Sequence, residues 1–234
     1  MSAYRAVLFD FFGTVTRSVQ RGPKHAEIAR LLGCAPEAMI EVLDRSFRAR
    51  ARGAFGSAEA TLRWVAEQAG GCPDPADLRA ALAARVDAVR SETRLRPDAV
   101  RTLSALKRRG IATGLISDCA YELPVFLPGL PVAPLLDTTV FSVQTGHCKP
   151  DPQIYLIACR DLGVLPEDCL YVGDGGSHEL TGATDVGMTA VRLTAPDLAD
   201  HLVYDADADF AGPCVGSLTE VVDLVDRAGV PVLV

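Results

Sequence analysis

Lysine is scarce in this sequence, with three residues among 234 against twenty arginines. Where a compact point cation is needed, a lysine in such a chain stands out. Long apolar runs are also missing. The longest are broken by charge or proline, so no segment is predicted to span a bilayer. At the N-terminus, MSAYRAVLFD leads straight into a strand, with no basic stretch, apolar segment and small-residue site in succession. Export is therefore not expected, and the cytoplasm is the expected location. The net charge of −7 leaves no basic surplus, which argues against a nucleic-acid or acidic-membrane binder. Seven scattered cysteines, odd in number and without a C-x-x-C pair, exclude a zinc ribbon or disulfide framework. Most are expected to be small buried residues in a reducing compartment.

What is present is a globular balance with nearly half the residues apolar. Short β-branched runs predict strands at 5–9, 111–116, 138–142, 169–172 and 189–193. Pro97 suits the first position of a helix whose Val100, Leu103 and Leu106 share a face and which Gly110 ends. Pro152 opens another, with Ile154, Ile157, Ala158 and Leu162 inward and Gly163 at its end. This alternation predicts an α/β fold, a parallel sheet with helices on both faces. From about 17 to 94 only helical stretches occur, too many residues for a loop in a compact domain. The prediction is a discontinuous core, 1–16 plus 95–234, with a helical module of 17–94 inserted after the first strand.

Ligands of an open parallel sheet bind beyond the carboxyl ends of its strands. There the sequence places Asp10, then Ser117 and Asp118, then Lys149 of GHCKPDP, then Asp174 and Glu179 of VGDGGSHEL. Such a rim suits an anionic substrate and an oxygen-liganded divalent cation, magnesium by its chemistry. Carboxylates gathered in a cleft repel one another unless a cation or a shared proton intervenes. GDGGS lacks the lysine and hydroxyl of a nucleotide P-loop, and Cys119 has no base beside it in sequence, so it reads as an inert thiol. His178 is expected to face solvent.

The segments DFFGTVT, LISD, KPDP and GDGGSHEL, in that order, resemble the four motifs of the haloacid dehalogenase superfamily. The insertion resembles that superfamily's helical C1-type cap, so the resemblance spans the whole chain. It implies a Rossmann-like doubly wound core, an all-helical cap domain and a hydrolase. It further implies Asp10 as nucleophile and Ser117 and Lys149 as the residues binding the transferred group, with Gly13, Thr14 and Asp118 at the substrate. Magnesium would be held by Asp10, the backbone carbonyl of Phe12, Asp174 and Glu179, directly or through water. Attack of Asp10 on phosphorus divides one hard displacement into two, while magnesium and Lys149 offset the phosphoryl charge. Gly13 lets the chain turn away from the strand, and the Ser117 hydroxyl can donate to a phosphoryl oxygen.

Phe12 departs from the phosphatase pattern, which has an aspartate here to protonate the leaving alkoxide and later activate water. General acid–base help of this kind is worth about 10²–10⁴ in rate. A substrate with a good leaving group would need no proton, or a cap residue (His25, Glu27 or Asp44) would supply one. Alternatively the reaction is 2-haloacid dehalogenation through an aspartyl ester, since superfamily dehalogenases carry an aromatic residue at this position and use no metal. They also replace the first carboxylate of the fourth motif with serine, whereas GDGGSHEL retains Asp174 and Glu179 with four residues between them. A magnesium-dependent phosphatase or phosphotransferase acting on a small phosphorylated metabolite is therefore the expected function. Dehalogenation, or phosphate binding without turnover, remain the alternatives.

Between 17 and 63, nine basic residues face five acidic ones, a local surplus that would draw in a small anionic metabolite. The module is expected to close over the site, pivoting near Thr16–Arg17 and 94–97. Trp64 reads as core, and the apolar tail GVPVLV suits an edge strand, core packing or a dimer contact. Monomer and homodimer are both compatible with the sequence.

Overall fold

The computed structural model describes residues 4–201 and 204–228. After β1 (Ala6–Phe9) come a turn over 11–15 and five helices: α1 (Lys24–Leu32), α2 (Pro36–Arg45), α3 (Phe47–Ala51), α4 (Ala58–Gln68) and α5 (Pro75–Glu92). Helices and strands then alternate: α6 (Ala99–Arg108), β2 (Ala112–Ser117), α7 (Glu122–Phe126), β3 (Thr138–Phe141), α8 (Ser142–Thr145), α9 (Pro152–Leu162) and β4 (Cys169–Gly173). The chain continues through α10 (Glu179–Asp185), β5 (Thr189–Leu193), β6 (Cys214–Val215) and α11 (Leu218–Ala228). The sheet order is β3-β2-β1-β4-β5-β6, and every pairing is parallel. The fold is thus Rossmann-like α/β, and the carboxyl ends of the strands share one rim.

β1 shows why the run AVLF belongs at the centre. Val7 and Phe9 pack on one face with Leu103 and Leu106 of α6, Leu123 of α7 and Val221 of α11. Ala6 and Leu8 pack on the other with Ile154 and Tyr155 of α9 and Leu180 of α10. A strand buried on both faces has no polar alternate positions to offer, so it reads as a continuous apolar run. The helix predicted from Pro97 starts at Ala99, and Val100 is 38% exposed rather than inward. Ala99, Thr102, Leu103 and Leu106 form its buried face, because the helix packs on α11 as well as on the sheet. Pro152 and Gly163 bound α9 as expected.

The five helices from 24 to 92 enclose a cluster of their own, with Ile28, Leu32, Met39, Leu43, Leu62 and Leu78 at its centre. Trp64 lies at its edge and stacks on Phe55 at 4.2 Å. Two connections lead in and out side by side: Thr16 bridges Leu95, Arg17 N–H donates to the Arg94 carbonyl (2.8 Å), and Arg96 N–H to that of Val15 (3.0 Å). Cys119, Cys148, Cys159 and Cys169 are buried, Cys34 is half-buried, and all seven thiols are free. The tail at 229–234 lies outside the described residues.

Ile28→Ala, at a fully buried position of the helical cluster, is expected to cost about 2–5 kcal/mol in urea unfolding. If the two clusters unfold as separate units, hydrogen exchange accelerates in 24–92 and not in β1 or β4.

Candidate active site

The turn after β1 is wound by its own residues. Gly13 has a φ of 85°, and a Cβ there would lie 2.6 Å from His201 Nε2 and 2.9 Å from Asp174 Oδ2. Thr16 Oγ1 accepts from Gly13 N–H (3.1 Å) and donates to the Phe11 carbonyl (3.2 Å). The buried Arg96 guanidinium holds the same turn from outside, donating to the carbonyls of Thr14 (2.9 Å) and Gly13 (2.7 Å) and to Asp197 (2.8 Å). Gly13 and Thr14 thus spend their carbonyls on Arg96. Together these contacts aim Asp10 across the rim.

Lys149 Nζ sits between two carboxylates, 2.6 Å from Asp10 Oδ1 and 2.5 Å from Glu179 Oε2. Glu179 also accepts from Tyr171 Oη (2.8 Å) and from Gly175 N–H (2.9 Å), so both its oxygens are engaged. Its neighbour Gly173 leaves the space for it: a Cβ there would lie 2.1 Å from Glu179 Oε1. Asp118 joins the second and third motifs, accepting from Lys149 N–H at 3.0 Å. Asp10, Asp174 and Glu179 bring one oxygen each within 4.8 Å of one another.

This crowding shows in the acidities. Burial, with Asp174 adding its charge against the opposing Lys149, pushes Asp10 up to about 6. Burial and the Glu179 charge push Asp174 up to about 6, and burial with the Asp10 charge pushes Glu179 to about 7. Burial alone would lower Lys149, yet Asp10 and Glu179 outweigh it and hold the ammonium charged. Asp10 Oδ2 is buried without a hydrogen-bond partner, and so are Thr14 Oγ1 and Ser117 Oγ. Orphaned buried oxygens are costly, and these gather on the segments following β1 and ending β2.

One cavity reaches Asp10, Phe12, Asp118, Lys149, Asp174 and Glu179. Gly13, Thr14 and Ser117 do not line it; they lie behind that wall. The half-buried Phe12 ring packs edge-on to Phe11 at 5.0 Å and presents an apolar wall. Of the three proposed proton donors from the helical segment, two are excluded. Glu27 is exposed and bonded to Arg30 (2.6 Å and 2.8 Å), while Asp44 is engaged by Arg21 and Tyr204. His25 does line the cavity, but its Nε2 accepts from Arg85 (2.7 Å) and its Nδ1 faces Gly22 and Glu92. Burial and the Asp118 charge push the Cys119 thiol well up, so it is inert as expected. His178 is half exposed.

Reasoning from strand ends stopped at β4 and missed His201, which follows β5. Its Nδ1 accepts from Val19 N–H (3.0 Å), and Nε2 stands 3.6 Å from Asp174 Oδ2. Burial depresses its basicity despite the Asp174 charge. It lies eight residues beyond the end of β5, too far for a strand-end reading to single it out. Arg50, Arg85 and Glu122, which also line the cavity, carry no signal in sequence either.

The chain spans about half the length of the curated relatives it matches. Among them, the glyceraldehyde 3-phosphate phosphatase of Methanopyrus kandleri is 34% identical over 125 residues, 53% of this chain and 54% of that protein. Among solved structures, the 2-haloacid dehalogenase of Pseudomonas syringae pv. Tomato DC3000 superposes with a TM-score of 0.67 at 22% identity, covering 96% of this chain and 99% of that one. The HAD phosphatase of Thermococcus onnurineus does so with a TM-score of 0.63 at 20% identity, covering 94% and 97%. These two likenesses establish the fold. The haloacid dehalogenase-like hydrolase family model matches residues 4–187, well over half of the sequence, and the chain belongs to that family of hydrolases.

Proposed function

We propose that this hydrolase is a magnesium-dependent phosphatase or phosphotransferase for a small phosphorylated metabolite, with Asp10 as nucleophile. The observation that carries this reading is the charge at the rim: Asp10, Asp118, Asp174 and Glu179 stand against Lys149 alone among their bonded neighbours. The unpartnered Asp10 Oδ2 and the Asp174 carboxylate are hard oxygen donors that fit magnesium. The Phe12 carbonyl, on the turn that follows Asp10, is a further oxygen donor of the same kind. Glu179, with both oxygens engaged, acts chiefly by holding Lys149, or reaches the ion through water.

Asp10 attacks phosphorus, the P–O bond to the leaving group breaks, and an aspartyl-phosphate forms that water or another acceptor resolves. Lys149 binds the transferred group beside the nucleophile, and bound magnesium would offset the charge of its oxygens. The Ser117 and Thr14 hydroxyls, buried without a partner and outside the cavity lining, reach those oxygens only if the wall in front of them gives way. Phe12 gives no proton, and Glu27 and Asp44 are committed elsewhere, which favours a leaving group that departs without one. The helices of 17–94 act in this reading as a cap domain over the core of 1–16 and 95–234. The Phe12 wall also suits dehalogenation, which is the second reading.

Aryl phosphate hydrolysis with and without magnesium, beside halide release from 2-haloacids, separates the two readings. The expected outcome is magnesium-dependent phosphate release, falling at least about 10³-fold in Asp10→Asn, with no halide. Halide release without added metal would reverse the assignment.

A second expectation concerns stability. Asp10, Asp174 and Glu179 hold protons more tightly folded than unfolded, so their contribution is complete below about pH 4 and is lost as pH rises through about 6–7. Magnesium should therefore raise the unfolding temperature at about pH 7.5, less so at about pH 5, and Asp174→Asn should lose most of that rise.

A further inference from the structure

Four arginine or lysine side chains line the cavity that reaches Asp10: Arg21, Arg50, Arg85 and Lys149. Arg21 pairs with Asp44 (3.0 Å), Arg85 with Glu122 (2.7 Å), and Lys149 with Asp10 and Glu179. Arg50, on α3 and only 6% exposed, has no ion-pair partner among the described residues. Its Nε donates to Ser46 Oγ (3.1 Å) and its Nη2 to the Leu43 carbonyl (2.7 Å), leaving Nη1 without a hydrogen bond to the described residues.

The nearby carboxylates are already committed. Glu122 is taken by Arg85, and Glu92 accepts from Gly22 N–H (2.7 Å) and faces the His25 ring (3.2 Å). Burial and the like charge of Arg85 push Arg50 down to about 10, so it stays charged near neutrality. A buried guanidinium without a counter-charge is costly unless an anion arrives to meet it. Arginine is the side chain whose planar fork matches a carboxylate or phosphate. Other lining residues, Val19, Phe47, Val89 and Leu123, are apolar and suit a short carbon chain.

Resting on the phosphatase reading, we infer that the substrate carries a second anionic group, remote from the transferred phosphoryl, and that Arg50 binds it with Arg85 alongside. Arg50 is then the residue that determines specificity for a doubly anionic phosphomonoester.

Two homologous series of aryl phosphates, whose phenolate leaves without a proton, test this: the ring carries a chain of varied length ending in a carboxylate or in a second phosphate, each matched in length to a neutral alcohol. The readout is the ratio of kcat/KM between the anionic and the neutral partner. At the best length the wild type should prefer the anionic partner by about 10–150-fold. Arg50→Gln should bring the ratio near one, chiefly through KM, and Arg50→Lys should keep part of it. Comparing the series tells whether carboxylate or phosphate is favoured. An equal ratio in wild type and Arg50→Gln, or no preference in either series, overturns the subsite. If Arg50→Gln does not fold, Arg50→Lys carries the test, and an undiminished preference there overturns it. If nothing is hydrolysed, calorimetric binding of the same pairs to wild type and variant still reads the subsite. Arg50-dependent affinity would then leave it standing while the phosphatase reading falls; its absence would remove the subsite.

Discussion

The site is organised around the repulsion between carboxylates at the ends of β1 and β4. A parallel sheet with its strand ends aligned gathers whatever follows each strand at one place, and here that is mostly negative charge. One ammonium, Lys149, stands between Asp10 and Glu179, and burial together with the remaining negative charge makes all three acids hold their protons more tightly than usual. Carboxylates crowded in this way are relieved by a cation or by a shared proton. The same tension explains the glycines. At 13 and 173 no Cβ fits because side chains of the site occupy that space.

Around this cluster the chain builds a shell that contributes no chemistry itself. Arg96 pins the turn after β1 by two carbonyls and reaches Asp197 of the segment after β5. Tyr171 fixes Glu179, and Tyr155 Oη donates to the Glu179 carbonyl (2.9 Å). Asp207, also after β5, accepts from Leu180 N–H (2.7 Å) and from Thr181 Oγ1 (2.6 Å) at the start of α10. Positioning of this kind holds the Asp10 carboxylate and the Lys149 ammonium in register.

The alternating core was legible because local rules govern it. Strand composition, glycine ends and proline starts located β1 to β5 and α9, and strand ends located Asp10, Asp118, Lys149, Asp174 and Glu179. The two-residue β6 was too short to read. Val100 was misjudged because a single helical period cannot say that α11 also covers α6. Arg96, Arg85 and His201 went unnoticed for one reason. Their partners lie 82 residues away for Arg96 on Thr14, 60 for Arg85 on His25 and 182 for His201 on Val19. Only packing reveals such pairs, and an arginine-rich sequence hides which arginine matters. Glu27 and Asp44 mislead for the complementary reason: a carboxylate in the right segment is spent once a guanidinium reaches it.

The bonds between the helices of 24–92 and the sheet differ greatly in how much water they see. Arg85 of α5 meets Glu122 of α7 with side chains 11% and 5% exposed. Arg48 meets Asp205 with side chains 42% and 51% exposed. Parting the exposed pair costs about 0–1 kcal/mol and less as salt rises. Parting the buried one strands two charges and undoes the packing of α5 on α7. Any swing of the helices would therefore meet a stiff side and a loose side, with the Arg48 edge yielding more readily than the Arg85 edge.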